Sequence, residues 1–122
     1  MSEPRYALGL DFGTNSVRAL VVDVATGEEV ATAVHDYTRG DHGVLLDPTN
    51  PHVARQHPAD YEDGLEGCVR AALREAARSE DFSPDRIIGI GVDTTGSIPM
   101  PVDRSGMPLC FKPEFHGNLN AL

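Results

Sequence analysis

Two apolar runs in this chain end in the same way, and that repetition constrains the fold more than any other feature. Tyr6 to Leu10 leads into Asp11-Phe12-Gly13-Thr14-Asn15-Ser16, and Ile87 to Val92 leads into Asp93-Thr94-Thr95-Gly96-Ser97. Each run has the length of a strand and closes on an acid, hydroxyls and a glycine. The second, IIGIGV, does not alternate, which predicts a strand covered on both faces. Between them, Val17 to Val24 reads as a strand, and Ala25-Thr26-Gly27-Glu28 as a hairpin turn with Gly27 at positive φ. Glu29 to Tyr37 follows as a third strand, with Val30, Thr32 and Val34 on its half-buried face.

Gly40, Gly43, Pro48 and Pro51 interrupt residues 39–56, which read as a long excursion without regular structure. Pro58 then suits the first position of a helix, along which Tyr61, Leu65, Val69, Ala72, Leu73 and Ala76 recur at helical spacing. Ser83-Pro84-Asp85 ends the helical stretch. Beyond the second apolar run, Ile98–Val102 predicts an edge strand despite Pro99 and Pro101, and Met107–Phe111 returns after a turn at 103–106. Residues 113–122 read as irregular. The order predicts an α/β domain: three antiparallel strands, then a helix crossing to a parallel strand of one mixed sheet. Ligands of such sheets gather beyond the ends of central strands, where both polar loops fall, side by side.

The 11–16 loop offers phosphate chemistry. Gly13 allows backbone amides to approach an anion, and Thr14, Asn15 and Ser16 add neutral hydrogen bonds. Asp11 can hold hydrated Mg²⁺, and Arg18 can offer a bidentate contact to phosphate. These are also ordinary turn residues, so a plain hairpin stays open. Arg18 is equally suited to an ion pair with Asp23 or Asp93. No Gly-Lys-Ser/Thr loop and no GxGxxG occurs. Asp23 reads as a turn residue, His57 and Asp60 as serving the helix start, Cys68 as core, and Glu62 and Glu66 as surface. His35, His42, His52, His57 and His116 show no metal spacing.

Gly9-Leu10-Asp11-Phe12-Gly13-Thr14-Asn15-Ser16-Val17-Arg18-Ala19 resembles the first phosphate motif of the FGGY carbohydrate kinases, which share the ribonuclease H-like, actin-like ATPase fold. More narrowly, residues 21–29, Gln56-His57-Pro58-Ala59-Asp60-Tyr61, residues 89–97 and Lys112-Pro113-Glu114-Phe115 resemble the L-ribulokinase branch. The resemblance implies transfer of phosphate from ATP to the terminal hydroxyl of a 2-ketopentose, L-ribulose foremost, in arabinose catabolism. It assigns Asp11 to Mg²⁺ and Gly13, Thr14, Asn15, Ser16 and Arg18 to the ATP phosphates. Asp93, Thr94, Thr95 and Gly96 border the sugar, with Glu114 nearby. The general-base aspartate is expected beyond Leu122, so residues 1–122 read as part of an N-terminal kinase domain, truncated, and no catalytic base is assigned here. Asn118-Leu119-Asn120-Ala121 departs from the branch by carrying leucine where proline is usual. A xylulose kinase and a non-catalytic actin-like module are the competing readings.

Charge sharpens the expectation about partners. Ten basic residues against nineteen acidic ones leave a net charge of −9, which repels nucleic acid and anionic lipid. There is no run long enough to cross a bilayer, no signal-peptide pattern at Met1–Arg5, and no disulfide framework in Cys68 and Cys110. Together these predict a cytoplasmic chain with reduced thiols. An incomplete domain would leave apolar surface on its last strand, predicting self-association.

Overall fold

The computed structural model describes residues 2–122. Among the described residues the chain forms a four-stranded mixed sheet, a separate two-stranded hairpin and one α-helix. Strands β1 (Tyr6–Phe12), β2 (Ser16–Asp23) and β3 (Glu29–Asp36) are antiparallel neighbours. Strand β6 (Ile87–Thr94) lies on the other side of β1, parallel to it, giving the order β3-β2-β1-β6. Asp23 accepts from the amides of Ala25 and Thr26 and so shapes the β2–β3 turn, where Gly27 takes φ +76°.

Helix α1 (Pro58–Ala76) lies over β2 and β3. The N-terminus is set by His57, whose Nδ1 accepts from the Ala59 amide at 3.1 Å, with Pro58 following where a missing N–H costs nothing. The buried stripe is Gly64, Cys68, Ala72 and Ala76, spaced four apart. It differs from the expected stripe: Tyr61, Val69 and Leu73 are only half-buried, and Leu65 is exposed. Small residues win the contact face because the helix lies close on the sheet. A Cβ on Gly64 would stand 2.6 Å from Val17 Cγ1. Beneath it, Val17, Ala19 and Val21 of β2 are fully buried, with Tyr6, Leu8 and Leu10 of β1 and Ala31 of β3.

Several expectations change. On β3 the helix side carries Ala31, Ala33 and His35, while Thr32 and Val34 face solvent; of the expected face only Val30 is half-buried against the core. Close helix approach again selects the smaller residues. The 39–56 segment is not structureless: β4 (Leu45–Asp47) and β5 (Asn50–Arg55) pair antiparallel, turned by Asp47, which accepts from Thr49. Strand β6 is not covered on both faces. Ile88, Ile90 and Val92 are 59%, 65% and 62% exposed, because the one helix reaches only β2 and β3 and β6 forms the sheet edge. The 98–111 hairpin reduces to a single bridge between Val102 and Pro108, followed by 3-10 turns at Leu109–Phe111, Pro113–Phe115 and Leu119–Ala121. Prolines at 99, 101 and 108 remove the donors that a ladder needs.

Candidate functional site

Parallel pairing of β1 with β6 decides which polar residues meet. Asp11 is the register partner of Asp93, and Phe12 of Thr94. Across the antiparallel side, Asp11 pairs with Arg18. Asp93, Asp11 and Arg18 therefore form one row across three strands, on one face by the alternation of the pleat. All three are exposed. Strand β1 runs on through Phe12, so Asp11 is a strand residue rather than a turn residue. Among the described residues Arg18 makes no ion pair within 4 Å with either Asp23 or Asp93.

The turn between β1 and β2 is narrow. The Gly13 amide donates to the Ser16 carbonyl at 2.8 Å, closing the hairpin, so this N–H faces no ligand. Three other contacts fix the turn: the Tyr37 amide donates to the Asn15 carbonyl at 2.9 Å, Asn15 Nδ2 donates to the His42 carbonyl at 2.8 Å, and Gln56 Nε2 donates to the Thr14 carbonyl at 2.6 Å. Among the described residues, the turn amides left without a partner are therefore those of Thr14 and Asn15.

The second loop leaves β6 through a bond from the Thr95 amide to the Phe12 carbonyl at 3.2 Å, which binds the two loops at their base. Thr14 from one loop and Thr95, Gly96 and Ser97 from the other line a common cleft of about 790 Å³. Arg55, Gln56 and Asn120 complete its polar wall, and Ile98, Met100 and Leu122 its apolar one. Among the described residues no acidic side chain lines it, although the chain carries a net charge of −9. A polar ligand entering it would therefore meet hydroxyls, two side-chain amides and one guanidinium. Thr94 lines a smaller apolar cavity of about 280 Å³ with Phe12 and Tyr61.

The expected residues divide into two groups. Thr14, Thr95 and Gly96 come together in the cleft, whereas Asp11, Asp93 and Arg18 stand in the strand-end row outside its lining. Asn15 and Ser16 lie on the turn but not in the cleft. Glu114 is exposed on a 3-10 turn away from it. Asp11 and Asp93 lie on adjacent strands roughly 5 Å apart, and two hard carboxylate oxygen donors fit Mg²⁺, which is usually held by one or two carboxylates with water and phosphate. Among the described residues no group of three or more His, Cys, Asp or Glu is placed to bind a metal.

The contacts that hold this region in shape go beyond the helix-start role that the sequence indicates for Asp60. Asp60 is 2% exposed, and its Oδ1 accepts from Arg39 Nη1 at 2.6 Å; Asp63 accepts from the same nitrogen at 3.0 Å. Burial pulls the Arg39 pKa down, but the hydrogen bonds and charges of Asp60 and Asp63 outweigh it and raise it above its ordinary value. The pairing ties the 37–44 loop to the helix start. Gln56 reads in the sequence only as the start of the 56–61 motif, and Arg55 only as part of the 39–56 excursion; Arg55 Nε donates to the Leu119 carbonyl at 3.2 Å and closes the far wall of the cleft. An acid in the first helical turn marks Asp60, but no residue pattern marks its pairing with Arg39. Burial also lifts the Tyr37 phenol to about 12, and its hydroxyl has no partner in the core.

No family model matches the chain. The ribulokinase of Vibrio parahaemolyticus is 41% identical over 118 residues, covering 97% of this chain and 20% of the relative. That of Shouchella clausii is 40% identical over 120 residues, covering 93% and 20%, and that of Geobacillus thermodenitrificans 41% over 115 residues, covering 91% and 20%. The chain spans about a fifth of the length of these curated relatives. Among solved structures, the crystal structure of a xyloylose kinase from Brucella ovis matches with a TM-score of 0.56 and 31% identity, covering 74% of this chain and 16% of that one.

Proposed function

We infer that this chain, which belongs with the ribulokinases among the carbohydrate kinases, carries phosphate-facing and sugar-facing half-sites of an ATP-dependent kinase. Its substrate is a 2-ketopentose, L-ribulose foremost, phosphorylated at the terminal hydroxyl in arabinose catabolism in the cytoplasm. One observation carries the reading: two polar loops open side by side at the end of β1 and β6, with Thr14 of one and Thr95 of the other on one cleft. The ribonuclease H-like, actin-like assignment is supported by the mixed sheet and by the likeness to a sugar kinase.

Phosphoryl transfer asks for positioning and charge neutralisation more than for covalent chemistry. In this reading the Thr14 and Asn15 amides and the Thr14 and Ser16 hydroxyls orient phosphate oxygens, and Arg18 meets their charge. Asp11 holds Mg²⁺, with Asp93 beside it; the ion, when bound, neutralises charge on the transferring group. Thr94, Thr95 and Gly96 border the sugar, and Glu114 joins them on resemblance alone. The base that takes the hydroxyl proton belongs to a part of the kinase outside these 122 residues, which form part of its N-terminal domain.

The alternative reading, a xylulose kinase, draws on the likeness to the Brucella ovis enzyme. The intact kinase assayed with Mg-ATP on L-ribulose, D-xylulose and related ketopentoses separates the two. Highest kcat/KM on L-ribulose is expected; preference for xylulose would reject that substrate, and no transfer to any ketopentose would reject the kinase reading.

A further inference from the structure

We propose that Gln56 is a positioning residue for the turn assigned to the nucleotide phosphates, an inference that rests on the proposed function and deepens it. Gln56 follows β5 and precedes the helix cap. Its Nε2 donates to the Thr14 carbonyl at 2.6 Å and reaches the Gly13 carbonyl at 3.5 Å. Its Oε1 accepts from the Tyr61 hydroxyl. That second bond fixes which end of the amide faces the turn.

The two carbonyls belong to the Gly13–Thr14 and Thr14–Asn15 peptide planes. In a trans peptide the N–H points opposite to the C=O, and no peptide here is cis. Holding both carbonyls toward Gln56 therefore sends the N–H groups of Thr14 and Asn15 to the far side. These are the two amides of the turn without a partner, and neighbouring N–H groups aimed alike make an anion-binding concavity. The support is itself supported. The Tyr61 ring meets Phe12 edge-on at 6.0 Å and Tyr37 at 5.8 Å, so its hydroxyl is held in place by the core. Gln56 thus transmits the position of α1 to the turn without touching a phosphate.

Steady-state kinetics of the intact kinase test this. Gln56→Leu removes the donor and is expected to raise KM for Mg-ATP about tenfold, the worth of one well-placed hydrogen bond, while KM for the sugar stays within about twofold. Tyr61→Phe, which keeps the ring and loses only the hydroxyl, should raise KM for Mg-ATP less, and the double variant should be no worse than Gln56→Leu alone. Should Gln56→Leu fail to fold, Tyr61→Phe carries the same test. Unchanged KM for Mg-ATP, or equal rises in both KM values with a lowered Tm, would overturn the positioning role while leaving the kinase reading intact. A wild-type kinase without phosphoryl transfer would overturn both.

Discussion

His57 caps a helix with a ring nitrogen, so its protonation state matters to the fold. Nδ1 can accept from Ala59 N only while it is unprotonated, and the ring also stacks on Phe111 at 5.8 Å. Burial, and then the nearby Arg39 charge and His116, hold its pKa below 6.5, with Asp60 and Asp63 pulling the other way. A depressed folded pKa means the unfolded chain binds the proton more readily, so stability is present above pH 6.5 and falls as pH drops below it. Tm measured from pH 7.5 to 5 should decline more steeply in the wild type than in His57→Asn, which keeps a capping acceptor that does not titrate. Parallel profiles would show that the cap is not the titrating group. Such a residue was legible in the sequence, because a polar side chain before Pro58 has few other roles. Arg39–Asp60 was not, since the partners lie 21 residues apart and only the folded loop joins them.

At the scale of elements, alternation and apolar length located β1, β2, β3, α1 and β6, but not which face each buries. Faces depend on distance between layers, and the decisive residues were the small ones. Gly64→Ala is the direct check: alanine is the better helix former by about 1 kcal/mol, yet the new Cβ would press on Val17 Cγ1. Net destabilisation of roughly 1–3 kcal/mol is expected in urea unfolding, and a gain in stability would show that the helix can retreat from the sheet. The β4–β5 hairpin escaped notice because Pro48 and Pro51 mask short strands. The 98–111 stretch shows the converse: its apolar residues suggest two strands, but Pro99, Pro101 and Pro108 lack the donors a ladder needs, and one bridge remains. For the candidate site, the side-by-side loops were readable from two strand ends, whereas engagement of the Gly13 amide in closing its own hairpin depends on turn geometry that no residue type specifies.

For the whole molecule, one side of the sheet edge stands open. Ile90 and Val92 share a face with Leu8 and Leu10, which lie in the core, but the helix over β2 and β3 does not extend to β6. Unpaired backbone along an apolar edge is a template for another strand. Sedimentation of this 122-residue chain should show concentration-dependent association that Ile90→Lys diminishes; a monomer across the micromolar range would count against it. The central claim, that the strand ends and loops around Asp11 belong to a Mg-ATP site, has one most direct test. Phosphorylation of L-ribulose by the intact kinase should fall at least about a hundredfold in Asp11→Ala with Tm little changed. Turnover equal to wild type would contradict it and return the chain to the non-catalytic, actin-like reading.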